Sequence, residues 1–143
     1  MKVRQISVFL ENRAGRLASV LTTVAKAGVN IRTMSLADTS DFGIVRLIVD
    51  DVETCATALK ASGHTVSMTE VLAIEVADQP GGLADVLTAI AHAGLNVEYM
   101  YAFTSRVSDR AVVVFRFEDS DAALQALKGT GVSILTPEQV QSL

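Results

Sequence analysis

The sequence predicts an α+β protein made of two consecutive βαββαβ modules. Three observations predict it: a dense internal repeat, a helix-period apolar stripe at the same place in each copy, and period-two apolar segments around that stripe. Shifted by 66 residues, the chain falls on itself. Residues 15–34 read GRLASVLTTVAKAGVNIRTM and residues 81–100 read GGLADVLTAIAHAGLNVEYM, with eleven of twenty positions identical. Self-similarity of this density marks a duplication, and two copies are too few for a solenoid.

The elements follow in order. Ile6, Val8 and Leu10 alternate with Ser7 and Phe9, and Leu72, Ile74 and Val76 are their counterparts, which predicts a strand opening each module. Leu17, Val20, Leu21, Val24 and Ala25 then form one helical stripe, repeated without change of spacing by Leu83, Val86, Leu87, Ile90 and Ala91. Gly28 and Gly94 fit the position that ends such a helix. Second strands are expected at 30–36 and 96–103, and third strands at 44–49 and 112–117. The second hairpin is longer, and an offset of 70 aligns Arg46 with Arg116. Second helices are expected at 51–61 and 121–128, stopped by Gly63 and Gly131, and last strands at 66–68 and 132–135. The modules are thus expected at 1–70 and 71–143, without a flexible linker. This order places helices on one face of an antiparallel sheet. The third strands are apolar on both faces, so the face away from the helices should be buried too, by contact between modules or between chains.

Composition excludes several function classes. The net charge is −4 and the twelve Lys and Arg residues never form a run, which argues against a nucleic-acid partner. The single Cys55 allows no intrachain disulfide, and with only His64 and His92 beside it there is no structural zinc set. No metal and no cofactor is therefore expected. The apolar stretch at the amino terminus is too short for a signal peptide and no run could span a bilayer, which predicts a cytoplasmic protein outside the membrane. No nucleophile constellation, P-loop or dinucleotide fingerprint is present, so no catalytic residue is assigned and the chain is not expected to be an enzyme.

Two stretches carry a resemblance. Leu10-Glu11-Asn12-Arg13-Ala14-Gly15-Arg16-Leu17, followed by Ala27-Gly28-Val29-Asn30-Ile31, resembles the signature of the ACT domain. Asp78-Gln79-Pro80-Gly81-Gly82-Leu83 through Ala93-Gly94-Leu95-Asn96-Val97 is similar. The resemblance covers the whole chain as a tandem pair. It implies ferredoxin-like modules pairing side by side into one eight-stranded sheet with helices on one face. It also implies a regulatory protein that binds a free amino acid as effector in the cleft between two modules.

By position, the resemblance assigns effector contacts to Asn12, Arg13, Ala14, Gly15, Arg16 and Leu17 in the first loop. In the second loop it assigns Asp78, Gln79, Pro80, Gly81, Gly82 and Leu83, and at the starts of the second strands Asn30, Ile31, Asn96 and Val97. Asn12 and Gly15 would face Asn96, while Asp78 and Gly81 would face Asn30. The chemistry fits an amino acid. Free N–H groups at a helix start receive a carboxylate, glycine permits close approach, and carboxamide oxygens accept from an ammonium. The residue types also allow plainer roles: Asn12 and Asp78 as caps or turn formers, Gly15 and Gly81 as turn residues, and Asn30 and Asn96 as left-handed positions. Arg13 and Arg16 flank only the first loop, and Asp78 replaces Asn12 in the second, so the first cleft is expected to bind more strongly. The expected partners are the effector, a second copy in a homodimer or higher homo-oligomer through sheet faces, and an enzyme in trans. The alternative function is a trans-acting regulatory subunit of an amino-acid biosynthetic enzyme, acetolactate-synthase-like.

Overall fold

The computed structural model describes residues 1–38, 40–104 and 109–143. The chain divides into two compact units, Arg4–Thr69 and Met1–Val3 with Glu70–Leu143, called here the first and second unit. Its elements are β1 (Val3–Glu11), α1 (Arg16–Lys26), β2 (Ile31–Asp38), β3 (Phe42–Val49), α2 (Val52–Ala61), β4 (Thr65–Ala77), α3 (Gly82–His92), β5 (Tyr99–Ala102), β6 (Arg110–Arg116), α4 (Ser120–Leu127), β7 (Ser133–Ile134) and α5 (Pro137–Gln141).

In the first unit β3 lies between β1 and β2, antiparallel to both. Ile6 stands opposite Leu47 and Val8 opposite Val45, while Met34 faces Leu47 from the other side. The alternation explains the core. Ile6 and Val8 of β1 and Val45, Leu47 and Val49 of β3 point to one side, where they meet Val20 and Val24 of α1 and Cys55, Ala56 and Leu59 of α2. Both helices therefore cover the same face. The second unit repeats this with β6 between β4 and β5, and β7 on the other edge of β4. Its core joins Leu72, Ile74 and Val76 to Val113, Phe115 and Phe117, under Ile90 of α3 and Ala123 and Leu127 of α4.

The registers correct the expected offset. Ile6 pairs Leu47 and Leu72 pairs Phe115, so the third strands align at 68 residues, not 70. Arg116 corresponds to Ile48, and Arg46 to Val114. Helix-facing positions must alternate in step, and only the 68 offset superposes Val45, Leu47 and Val49 on Val113, Phe115 and Phe117. The residues at the tip of the second hairpin, 105–108, lie outside the described ones.

Other boundaries moved as well. The last strand of the first module and the opening strand of the second are one continuous strand, the thirteen-residue β4. β5 begins only at Tyr99, three residues beyond Asn96. Gly28 and Gly94, just before the second strands, are both left-handed, with φ 73° and 75°. Asp51 caps α2 through Thr54 N–H, and Asp119 caps α4 by accepting from Asp121 and Ala122 N–H, both at 3.0 Å. The short α5 was not expected. Its signature is Thr136-Pro137-Glu138-Gln139: a threonine cap, proline at the first helical position, and a glutamine closing a reciprocal capping box.

On the face away from the helices some residues of each unit are buried. Val112, Val114 and Ile48 are all buried, so β6 is covered on both faces. Gln5 and Ser7 are buried on the outward face of β1, where the Gln5 amide donates to Ser7 Oγ at 3.1 Å. Among the described residues no buried side-chain nitrogen or oxygen lacks a partner. No helix among them is long and apolar enough to cross a membrane.

Candidate functional site

The two loops that follow β1 and the later half of β4 adopt one backbone form. Gly15 has φ 87° and ψ −14°, and Gly81 has φ 86° and ψ −12°. Their hydrogen bonds match one for one. Asn12 N–H donates to the Asp41 carbonyl at 2.9 Å, as Asp78 N–H does to Asp109 at 3.0 Å. Arg13 and Gln79 N–H turn back to Glu11 and Ala77, and Arg16 and Gly82 N–H donate to Arg13 and Gln79. The left-handed φ demands glycine at positions 15 and 81, while a Cβ at either would meet no atom within 4 Å. Backbone conformation therefore requires these glycines, and the space beside them is open.

Gly15 and Gly81 are themselves the N-caps of α1 and α3, and no side chain caps either helix. Neither Asn12 nor Asp78 does so; instead, Asn12 Nδ2 donates to the Ser40 carbonyl at 3.5 Å. Each helix thus begins with N–H groups that the helix itself cannot satisfy, at the positive end of its dipole. Such an end can receive a carboxylate. The first N–H of each helix, at Arg16 and Gly82, is already spent on the turn.

The charges differ between the loops, though less than a count of arginines suggests. Glu11 lies 3.0 Å from Arg13 and 3.7 Å from Arg16, and so offsets part of their positive charge. The stretch 11–16 keeps one net positive charge, whereas 77–82 carries one net negative charge from Asp78. The first turn of α3 adds Asp85, and that of α1 holds no acid.

Gly82 plays a packing part. A Cβ there would stand 2.0 Å from the Ala77 carbonyl oxygen. Leu17 and Ile31 pack partly against the first core, and Leu83 and Val97 against the second. Asp78, Gln79, Pro80 and Leu83 come together along a cavity of about 390 Å³ with Val76 and Val113. Asn96 is exposed and lines another, of about 570 Å³, with Glu98 and Asp119. Asn30 is held by Asp50: its N–H donates to Oδ1 at 3.0 Å, and its carbonyl accepts from Asp50 N–H at 3.1 Å. Ala14 is exposed in the first loop. Cys55 is buried in the first core, where burial and, secondarily, the charges of Asp50 and Asp51 push its thiol up to about 11. Among the described residues no group of His, Cys, Asp and Glu could hold a metal ion.

Each unit is thus a βαββαβ module whose first helix is led by a glycine and has no side-chain cap. The chain belongs to the ACT domain pair family, whose model matches residues 1–141. ACT modules are ferredoxin-like, non-catalytic regulatory units. A protein from Bacteroides thetaiotaomicron is 36% identical, with a TM-score of 0.91 over 100% of this chain and 98% of that one. The regulatory subunit of aspartate kinase from Thermus flavus shares the fold at 19% identity and TM-score 0.61, covering 89% of this chain and 91% of its own. The Thermus thermophilus counterpart, in its ligand-free form, matches at 19% identity and TM-score 0.61, over 90% and 92%. No curated relative matches the chain.

Proposed function

We propose that this chain is a regulatory subunit acting in trans on an enzyme of amino-acid biosynthesis, with a free amino acid as its effector. The observation that carries the reading is the whole-length likeness in fold to aspartate-kinase regulatory subunits, with about nine-tenths of both chains covered. Those neighbours favour an aspartate kinase over the acetolactate synthase that the sequence suggested. The loop chemistry supports an amino-acid effector: an uncapped helix start for the carboxylate, and carboxamides for the ammonium. In this reading the modules pair side by side into a sheet of eight strands, counting the two halves of β4 separately. A β1–α1-type loop of one module meets the start of the second strand of another, bringing Asn12 and Gly15 to Asn96 and Asp78 and Gly81 to Asn30. Homo-oligomerisation through the sheet and a cytoplasmic location belong to the same proposal.

The test is reconstitution. The aspartate kinase catalytic chain of the same cell is assayed alone and with this protein, against each of the twenty amino acids. One amino acid should inhibit only when this chain is present, and should raise its melting temperature by mass action. Identical inhibition curves with and without the chain would refute the trans-acting reading. A chain whose melting temperature no amino acid shifts at millimolar concentration would refute the effector.

A further inference from the structure

Each unit makes the same turn where its first helix gives way to its second strand. Gly28 N–H donates to the Ala25 carbonyl at 3.0 Å and Val29 N–H to Val24 at 3.3 Å. Gly94 N–H does the same to Ala91 at 3.0 Å and Leu95 N–H to Ile90 at 3.2 Å. Beyond that turn the copies part. In the first unit Asn30 is held by Asp50 in both directions: its N–H donates to Asp50 Oδ1 at 3.0 Å, and its carbonyl accepts from Asp50 N–H at 3.1 Å. β2 begins at the next residue, Ile31, paired with Val49. In the second unit Asn96 and Glu118 take those places. Among the described residues no hydrogen bond joins the two. They line the cavity of about 570 Å³ instead. The counterpart of Ile31 is Val97, yet β5 begins only at Tyr99.

We propose that Asp50 is a positioning residue, a clip that fixes the start of β2, and that the unclipped stretch 96–98 is the part of the chain that reorders when an effector binds. The inference rests on the reading that the starts of the second strands meet an amino-acid effector. Both backbone groups of Asn30 are spent on Asp50, so a ligand there finds only the carboxamide. Those of Asn96 are not spent, and pairing them breaks no bond already made. The side chains explain the difference. Aspartate carries its carboxylate on one methylene, so a single residue offers an acceptor and a backbone donor to the same neighbour. Glutamate adds a methylene and a torsion that must be ordered. Arg116 holds this end of the second unit only loosely: Nη2 donates to the Glu118 carbonyl at 3.4 Å, and Nε lies 4.0 Å from the Glu98 carboxylate. Segments that move on binding come from the weakly held end of a fold. By that measure the start of β2 is a fixed wall and the stretch before β5 is the responsive one.

The experiment is amide hydrogen exchange on the full chain, read residue by residue by NMR. Without ligand, the Asn30 amide should be protected about tenfold or more above that of Asn96. Asp50→Ala should abolish the difference. Asp50→Asn, which keeps an acceptor, should retain most of it. The amides of the buried Leu47 and Leu59 should stay as protected as in the parent. Each of the twenty amino acids is then added at millimolar concentration. The one that binds should slow exchange at Asn96 and Val97 about tenfold and leave Asn30 unchanged. Equal Asn30 exchange in the parent and in Asp50→Ala would overturn the clip. An effector that slows Asn30 as much as Asn96, or that raises the melting temperature without slowing Asn96 or Val97, would overturn the reordering and leave the regulatory reading standing. If no amino acid alters exchange or melting temperature, the effector reading fails and the reordering falls with it.

Discussion

Replacing Gly82 by alanine separates the two reasons a loop can need glycine. Gly81 carries φ 86° but has open space around its missing Cβ, so Gly81→Ala costs only the left-handed conformation, about 1–2 kcal/mol. Gly82 has ordinary backbone angles and no space. Its added Cβ would lie 2.0 Å from the Ala77 carbonyl oxygen, which must retreat by at least 1.0 Å to reach the 3.0 Å limit of real contacts. The obstacle is backbone at the end of β4, which cannot rotate away as a side chain could. We therefore expect Gly82→Ala to cost about 3 kcal/mol, at the upper end of overpacking. For a chain of this size that lowers the melting temperature by roughly 10 °C. The assay is thermal unfolding by circular dichroism, with urea titration as a check that the m value is unchanged. The equivalent residue in the first unit is Arg16, which carries a Cβ, so the second loop lies closer to its strand than the first. A Gly82→Ala protein melting within about 2 °C of the parent would refute that geometry.

Other perturbations test other parts of the structure. Asp119→Ala removes the cap that accepts from Asp121 and Ala122 N–H and should destabilise by about 1 kcal/mol in urea unfolding. Leu59→Ala, fully buried in the first core, should cost about 3 kcal/mol by the same measurement. The Asp51 carboxyl is held below its ordinary value by hydrogen bonds from Thr54. Its contribution is therefore present above the unfolded value of 3.8 and is lost as pH falls through the lower folded one, and Asp51→Asn should flatten the acid limb of a stability–pH curve. Cys55 behaves oppositely: its raised thiol loses stability as pH climbs from 9.0 towards about 11. The native protein should resist iodoacetamide at pH 8 and react on unfolding, as mass spectrometry would show.

The duplication, the order of elements and the helix-facing half of each core were legible in the sequence, because burial on one face imposes periods of 3.6 and 2 that survive in the residue pattern. The loop glycines were legible too, since a left-handed backbone leaves few other choices. Tertiary structure decided the rest. It fused two expected strands into β4, and it reset the third-strand offset from 70 to 68 through registers no local pattern encodes. It turned Asn12 from a candidate cap into a ligand of the Ser40 carbonyl, and it set Glu11 against the two arginines expected to favour an anion. Asn30 and Asp50 look in sequence like ordinary turn residues, 20 positions apart. Their pairing is a property of strand ends that meet only after folding. The sequence by itself determined which residues face each core; which side chains meet beyond that core depended on strand register and loop closure, where contacts distant along the chain set the geometry.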